Sequence, residues 1–185
     1  MRKKIWQLTL PVILANITVP FVGMVDTAVM GHFDSAHYIG AVAMGSFLFS
    51  LISISFGFLR MATTGLVAQS HGADDRPGVV LNYLRAVAMA LMLGVLMVVL
   101  AQPIIMLARQ FLSASEPVLD GMAVYMTIVA FAAPAVFLNM VGLGLLFGLQ
   151  RVNSCLIQLV AINCINIAVN PVSYTHLTLP TTTIV

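Results

Sequence analysis

The sequence predicts an all-α polytopic membrane protein of about five transmembrane helices, and two observations carry that prediction. Of its 185 residues, 61% are apolar and only 8% charged, against about 45 to 50% and about 25% in an average soluble domain. Almost every charge also falls between long apolar runs or near their ends, where water and headgroups solvate it, and Asp26 and Arg60 are the exceptions that matter. A chain of this make-up takes lipid as its main solvent and the bilayer as its partner.

Crossing roughly 30 Å of hydrocarbon takes about 20 helical residues, and apolar runs of this kind lie at about 7–31, 39–69, 79–108, 119–149 and 154–171. The first run follows a basic start, Met-Arg-Lys-Lys, as a secretory signal would. It stays apolar to Met30, longer than a signal core, and no small-x-small cleavage pattern leads into a polar domain, so it reads as a membrane helix. Most of the runs exceed the minimum length, as tilted or bent helices do, and Pro11, Pro20, Pro103 and Pro134 are their bend sites. The connectors carry turn chemistry: His32 to Tyr38, His71 to Gly78, and Ser113 to Pro117, where Ser113 and Glu116 have capping-box spacing ahead of the fourth run. Gly40, Gly45, Gly57, Gly65, Gly142, Gly144 and Gly148 offer surfaces for close helix approach, Gly144 and Gly148 at GxxxG spacing.

Six basic residues (Arg2, Lys3, Lys4, Arg76, Arg85 and Arg151) fall on the side of the N-terminus and one, Arg109, on the other. The positive-inside rule then puts the N-terminus in the cytoplasm. A net charge of +2, scattered along the chain, is too small to suggest a nucleic-acid footprint, and no nucleic-acid partner is expected. Cys155 and Cys164, nine positions apart in one run, point to opposite faces of a helix and read as small buried residues. The 12 methionines are packing filler, and His32, His37, His71 and His176 have no metal partner at useful spacing. A nucleophile elbow, a phosphate loop and an HExxH motif are all absent from the sequence, so no enzyme chemistry and no cofactor is expected.

Polar groups inside lipid-length runs are the candidate functional residues, because a charge there is expensive to keep. Asp26 lies five residues before the end of the first run. It is either a coupling carboxylate or a helix-end residue solvated at the interface. Asn163, Asn166 and Asn170 share one stripe of the fifth run, within an arc of about 60°, and either glue helices together or line a polar cavity. Arg60, followed by Thr63, Thr64 and Gln69, makes a polar stretch in the second run with a structural or gating role, its side chain snorkelling or pairing. Tyr125 and Asn139 are lone polar groups of the fourth run.

Several ordered strings carry a resemblance: Leu-Thr-Leu-Pro-Val-Ile-Leu-Ala-Asn, then Val-Asp-Thr-Ala-Val-Met-Gly-His, then Gly-Phe-Leu-Arg-Met-Ala-Thr-Thr-Gly-Leu-Val-Ala-Gln, then Gly148-Leu149-Gln150 and Asn163 to Asn170. They resemble the multidrug and toxic compound extrusion family, closest to its DNA-damage-inducible protein F branch, over about residues 5 to 171. The resemblance implies twelve-helix secondary antiporters in two six-helix lobes, exporting organic, often cationic compounds in exchange for protons or sodium across the bacterial inner membrane. It places Asp26 on the family's first-helix acidic residue, Pro11 on the proline where that helix bends, and Asn166 and Asn170 on the fifth-helix pair sharing the cavity. Asn170 stands where members often have Asp, which removes one charge from a two-carboxylate site.

On this reading residues 1–171 are an N-terminal lobe short of its last helix and of the C-terminal lobe. After Pro171 the Thr-rich stretch 172–185 reads as a non-native tail in which the fifth helix stops. Two rival readings remain: a lipid-linked precursor flippase of the same superfamily, favoured by a basic central cavity, and a truncated membrane protein that transports nothing.

Overall fold

The computed structural model describes residues 36–178, with side chains described for 37–165. It consists of five helices: α1 (Ala36–Ser55), α2 (Phe58–Gly72), α3 (Arg76–Phe111), α4 (Glu116–Gly148) and α5 (Val152–Thr178). Three stretches are long and apolar enough to cross a membrane, His37–Gly72, Arg76–Phe111 and Glu116–Gly148, with a shorter apolar helix at Val152–Ile165. The chain is an all-helical, multi-pass membrane protein. The 36 residues of α3 extend about 54 Å at 1.5 Å each, well beyond the hydrocarbon, so that helix tilts or projects.

The first four helices form one compact unit, residues 35–151, in which α4 is the central element. Close approaches run from α4 to each of α1, α2 and α3, and from α2 to α3. One stripe of α4 is buried along its whole length: Leu119, Met122, Met126, Ala130, Ala133, Phe137, Val141, Gly144 and Gly148. Steps of three and four keep those positions on one face of the helix. Side chains of α1 (Met44, Leu48) and α3 (Ile104, Ala108) gather over Met122 and Met126 at one end. Leu59 of α2 and Ala90 and Met97 of α3 close on Ala133, Phe137 and Val141 nearer the middle.

Two close approaches set the helix spacing. A Cβ on Gly144 would stand 2.8 Å from Thr63 Cβ and 2.9 Å from the Arg60 carbonyl oxygen, and one on Gly148 would stand 2.7 Å from Val67 Cβ and 3.0 Å from the Thr64 carbonyl oxygen. The GxxxG pair expected to bring helices together therefore seats α4 directly on the α2 backbone. Midway along α3, Gly94 lies against the Pro134 backbone of α4, where a Cβ would come within 2.5 Å of Pro134 Cα. The bend-site proline is thus accommodated by a missing side chain on its neighbour.

The sequence boundaries needed four corrections. The run expected as one helix at 39–69 is two, α1 and α2, separated by Phe56 and Gly57. The connector expected at His71 to Gly78 shortens to 73–75, because Arg76-Pro77-Gly78 forms the first turn of α3, where a proline needs no N–H partner. Asp75 caps that turn, its Oδ1 accepting from Gly78 N–H at 3.0 Å. The Ser113 and Glu116 capping box does not form: Ser115 is the N-cap, without a side-chain hydrogen bond, because the helix starts at Glu116 and places Ser113 two residues too early. Finally, α5 stays helical to Thr178, past Pro171 where a break was expected.

The C-terminal end of α4 closes with Gln150 in the left-handed region (φ 56°), Gln150 N–H donating to the Phe147 carbonyl and Arg151 N–H to the Leu146 carbonyl. A residue with a Cβ is strained there by about 1 kcal/mol, which glycine avoids. Gln150→Gly is therefore expected to stabilise the detergent-solubilised protein by about 1 kcal/mol, seen as a higher thermal midpoint. An unchanged or lower midpoint refutes the strain.

Candidate functional site

The candidate residues separate into those the structure locates and those it does not. Asp26 and Pro11 lie outside the described residues. Asn166 and Asn170 belong to the backbone of α5, and their side chains lie outside the described ones. Because α5 is continuous from Val152 to Thr178, positions 163, 166 and 170 keep the helical register that puts them on one stripe. Asn163 itself is half-buried.

On α4, Tyr125 and Asn139 are both half-buried and fall on the same side of the helix, about 40° apart in projection and about 21 Å apart along the axis. The fold does not bring them together. Tyr125 has a packing function: its ring covers Gly45 of α1, where a Cβ would stand 2.4 Å from Tyr125 Cδ1. Arg60 and Gln69 are exposed on α2, nine residues and half a turn apart, so they too make no joint site. Thr63 and Thr64, the hydroxyls between them, donate to the Leu59 and Arg60 carbonyls at 2.6 and 2.8 Å. They are satisfied inside their own helix, and Thr63 presents its methyl group to Gly144 of α4.

Sequence reasoning passed over two cross-helix polar contacts. Gln102 Nε2 of α3 donates to Thr127 Oγ1 of α4 at 3.4 Å, and Asn82 Nδ2 of α3 donates to Ser70 Oγ of α2 at 3.0 Å. In lipid such bonds tie helices together. The available signal was a lone amide or hydroxyl inside each apolar run. The single ion pair among the described residues joins Arg109 at the end of α3 to Asp120 at the start of α4. Among the described residues no group of three or more His, Cys, Asp or Glu is placed to hold a metal.

What remains among the described residues is a bundle with isolated polar groups on lipid-length helices. The family model MatE matches residues 11–172, nearly the whole chain. The chain belongs to the MatE family. This MatE chain is 42% identical to DNA damage-inducible protein F of Escherichia coli over 91% of its own length and 37% of that protein's. It is 32% identical to a protein of Neisseria meningitidis named Probable multidrug resistance protein NorM, over 71% of the chain and 28% of that protein. It is 35% identical to Multidrug resistance protein PmpM of Pseudomonas aeruginosa, over 50% and 19%. The chain thus spans about a third or less of the length of these relatives. No solved structure matches it. MatE proteins are transporters, not enzymes, which agrees with the lack of any catalytic constellation in the sequence.

Proposed function

We propose that this chain forms part of a secondary active multidrug efflux antiporter of the bacterial inner membrane, exporting organic, often cationic compounds in exchange for protons or sodium ions. The observation that carries the reading is the MatE match over residues 11–172, supported by relatives named for multidrug resistance. The ion-coupling role falls to Asp26, which lies five residues inside the end of the first run, deeper than Asp120 at the very start of the fourth, because a charge at that depth needs a proton, a metal cation or a cationic drug to offset it. Asn163, Asn166 and Asn170 on α5 complete the polar lining. Export follows if proton and drug bind the two conformations of the carrier differently, which is the condition for any coupling. The missing C-terminal lobe is the partner against which this one rocks.

The test is drug accumulation in an efflux-deficient host. The full-length protein is expected to lower intracellular cationic dye and raise drug resistance, whereas the 185-residue chain alone confers neither. Full-length protein without effect on any organic cation, but active on lipid-linked precursors, overturns the reading in favour of the flippase.

The same proposal places the N-terminus in the cytoplasm. Support comes from the six-to-one distribution of basic residues and from the Arg109–Asp120 pair, which offsets the lone positive charge of the opposite side. Alkaline phosphatase fused after Ser113 is expected to be active and fused after Asp74 inactive. The reverse pattern inverts the topology.

A further inference from the structure

We propose that α1 is a pivoting segment, swinging about Phe56–Gly57 against a fixed frame made of α2, α3 and α4. The break falls close to the middle of the 36-residue stretch His37–Gly72, where an uninterrupted helix is the default in lipid. No proline causes it. The backbone there tightens to i→i+3 bonding: Phe56 N–H donates to Ser53 O at 3.1 Å, Gly57 N–H to Ile54 O at 3.0 Å and Leu59 N–H to Phe56 O at 3.0 Å. Such bonds have poorer geometry than the α-helical kind and mark hinges when they interrupt a long helix. Ser55 Oγ bends the chain further by donating to the Leu51 carbonyl at 3.0 Å.

The hinge region also has a reason to move. Ser53 Oγ is buried without a hydrogen-bond partner, although its hydroxyl could reach the carbonyl four residues earlier, as Ser55 does. A change of bend that lets it do so satisfies a donor that this conformation leaves unmet.

The two sides of the hinge are held unequally. α2 lies close along both α3 and α4. Gly144 and Gly148 are pressed on its backbone, and the Asn82–Ser70 bond fastens it to α3. Among the described residues α1 has its close helix approach along α4, where Gly40 meets Val118, Ala41 meets Gly121 and Gly45 meets the flat ring of Tyr125. At the pivot itself the Phe56 ring rests on Phe137 of α4 with centroids 4.8 Å apart. As α1 turns, Met44, Leu48, Phe49 and Ile52 are the side chains that slide over the core, whereas turning α2 would also have to part its backbone from Gly144 and Gly148. The inference concerns this bundle alone and holds whatever solute it transports.

Double electron–electron resonance on the full-length protein tests it, after Cys155→Ser and Cys164→Ser remove the native thiols of this chain. Spin labels on the exposed pair Phe47→Cys and Val99→Cys report α1 against α3, and the exposed pair Met61→Cys and Val80→Cys reports within the frame. The first pair is expected to give a broad or two-peaked distance distribution and the second a single narrow one. A Cβ at position 57 would stand 3.0 Å from the Ile54 carbonyl oxygen and alanine favours the continuous helix. Gly57→Ala is therefore expected to remove the second population of the first pair. A 47–99 distribution as narrow as the 61–80 one overturns the proposal without any hinge variant. So does a two-peaked distribution that Gly57→Ala leaves unchanged.

Discussion

Asp26→Asn in the full-length transporter is expected to abolish drug efflux, bringing resistance down to that of the empty host while membrane expression stays at the wild-type level. The substitution keeps the size and much of the hydrogen bonding of the side chain but removes the group that exchanges charge. If Asp26 couples transport by binding a proton or sodium ion in one conformation and releasing it in the other, an amide cannot take part. If it is a helix-end residue solvated at the interface, Asn serves equally well and efflux persists. The two readings of this one residue thus separate in a single resistance assay with an immunoblot for expression, and retained efflux removes Asp26 from the coupling site.

Gly94→Leu is expected to prevent stable accumulation of the protein, and Gly94→Ala to lower its stability by about 2 kcal/mol, in the range of overpacked cores. The atom that a new Cβ meets is Pro134 Cα at 2.5 Å, which is backbone and cannot turn aside as the end of a flexible side chain would. α3 would have to back away from α4 near the middle of both helices, loosening Met97 and Ala90 from Ala133 and Phe137. Gly65, with nothing within 4 Å of its Cβ position, is the control. There Ala is expected to be neutral or stabilising by up to about 1 kcal/mol through helix propensity. Thermal unfolding in detergent of the two alanine variants decides the matter, and equal midpoints for both refute the close approach.

Much of the fold was legible because lipid imposes a length. Apolar runs long enough to span, short polar connectors and charges at the ends predicted helices at nearly the places where α3 and α4 lie. The misplacements were local. Arg76-Pro77-Gly78 looks like loop, yet the first helical turn tolerates proline and glycine and Asp75 supplies the cap. The break at Phe56–Gly57 had no proline to announce it. It lies where the Ser55 hydroxyl bonds back to the Leu51 carbonyl and Gly57 follows, each common enough inside a membrane helix to pass unremarked.

Of the candidate site, the sequence offered residue types and depths but not partners. Asn163, Asn166 and Asn170 share a stripe by register alone, and that arithmetic needs no structure. Tyr125 and Asn139, two lone polar groups in the sequence, stay apart in the fold, about 21 Å along one helix, and the Tyr125 ring covers Gly45. Arg60 and Gln69 face different ways for the same geometric reason.

By itself, then, the sequence determined solvent, element type, approximate boundaries and family, since each follows from composition, run length or an ordered string of residues. Only the tertiary structure decided which face of each helix lies inside. In water the polar side of a helix reveals the apolar one; in a membrane both faces are apolar and hydropathy loses its period. The stripe from Leu119 to Gly148 that makes α4 the centre of the bundle is distinguished not by being more hydrophobic than its surroundings but by fitting. Its glycines and alanines admit neighbouring backbones, its methionines and Phe137 fill the space between, and such complementarity exists only once the partner helices are in place.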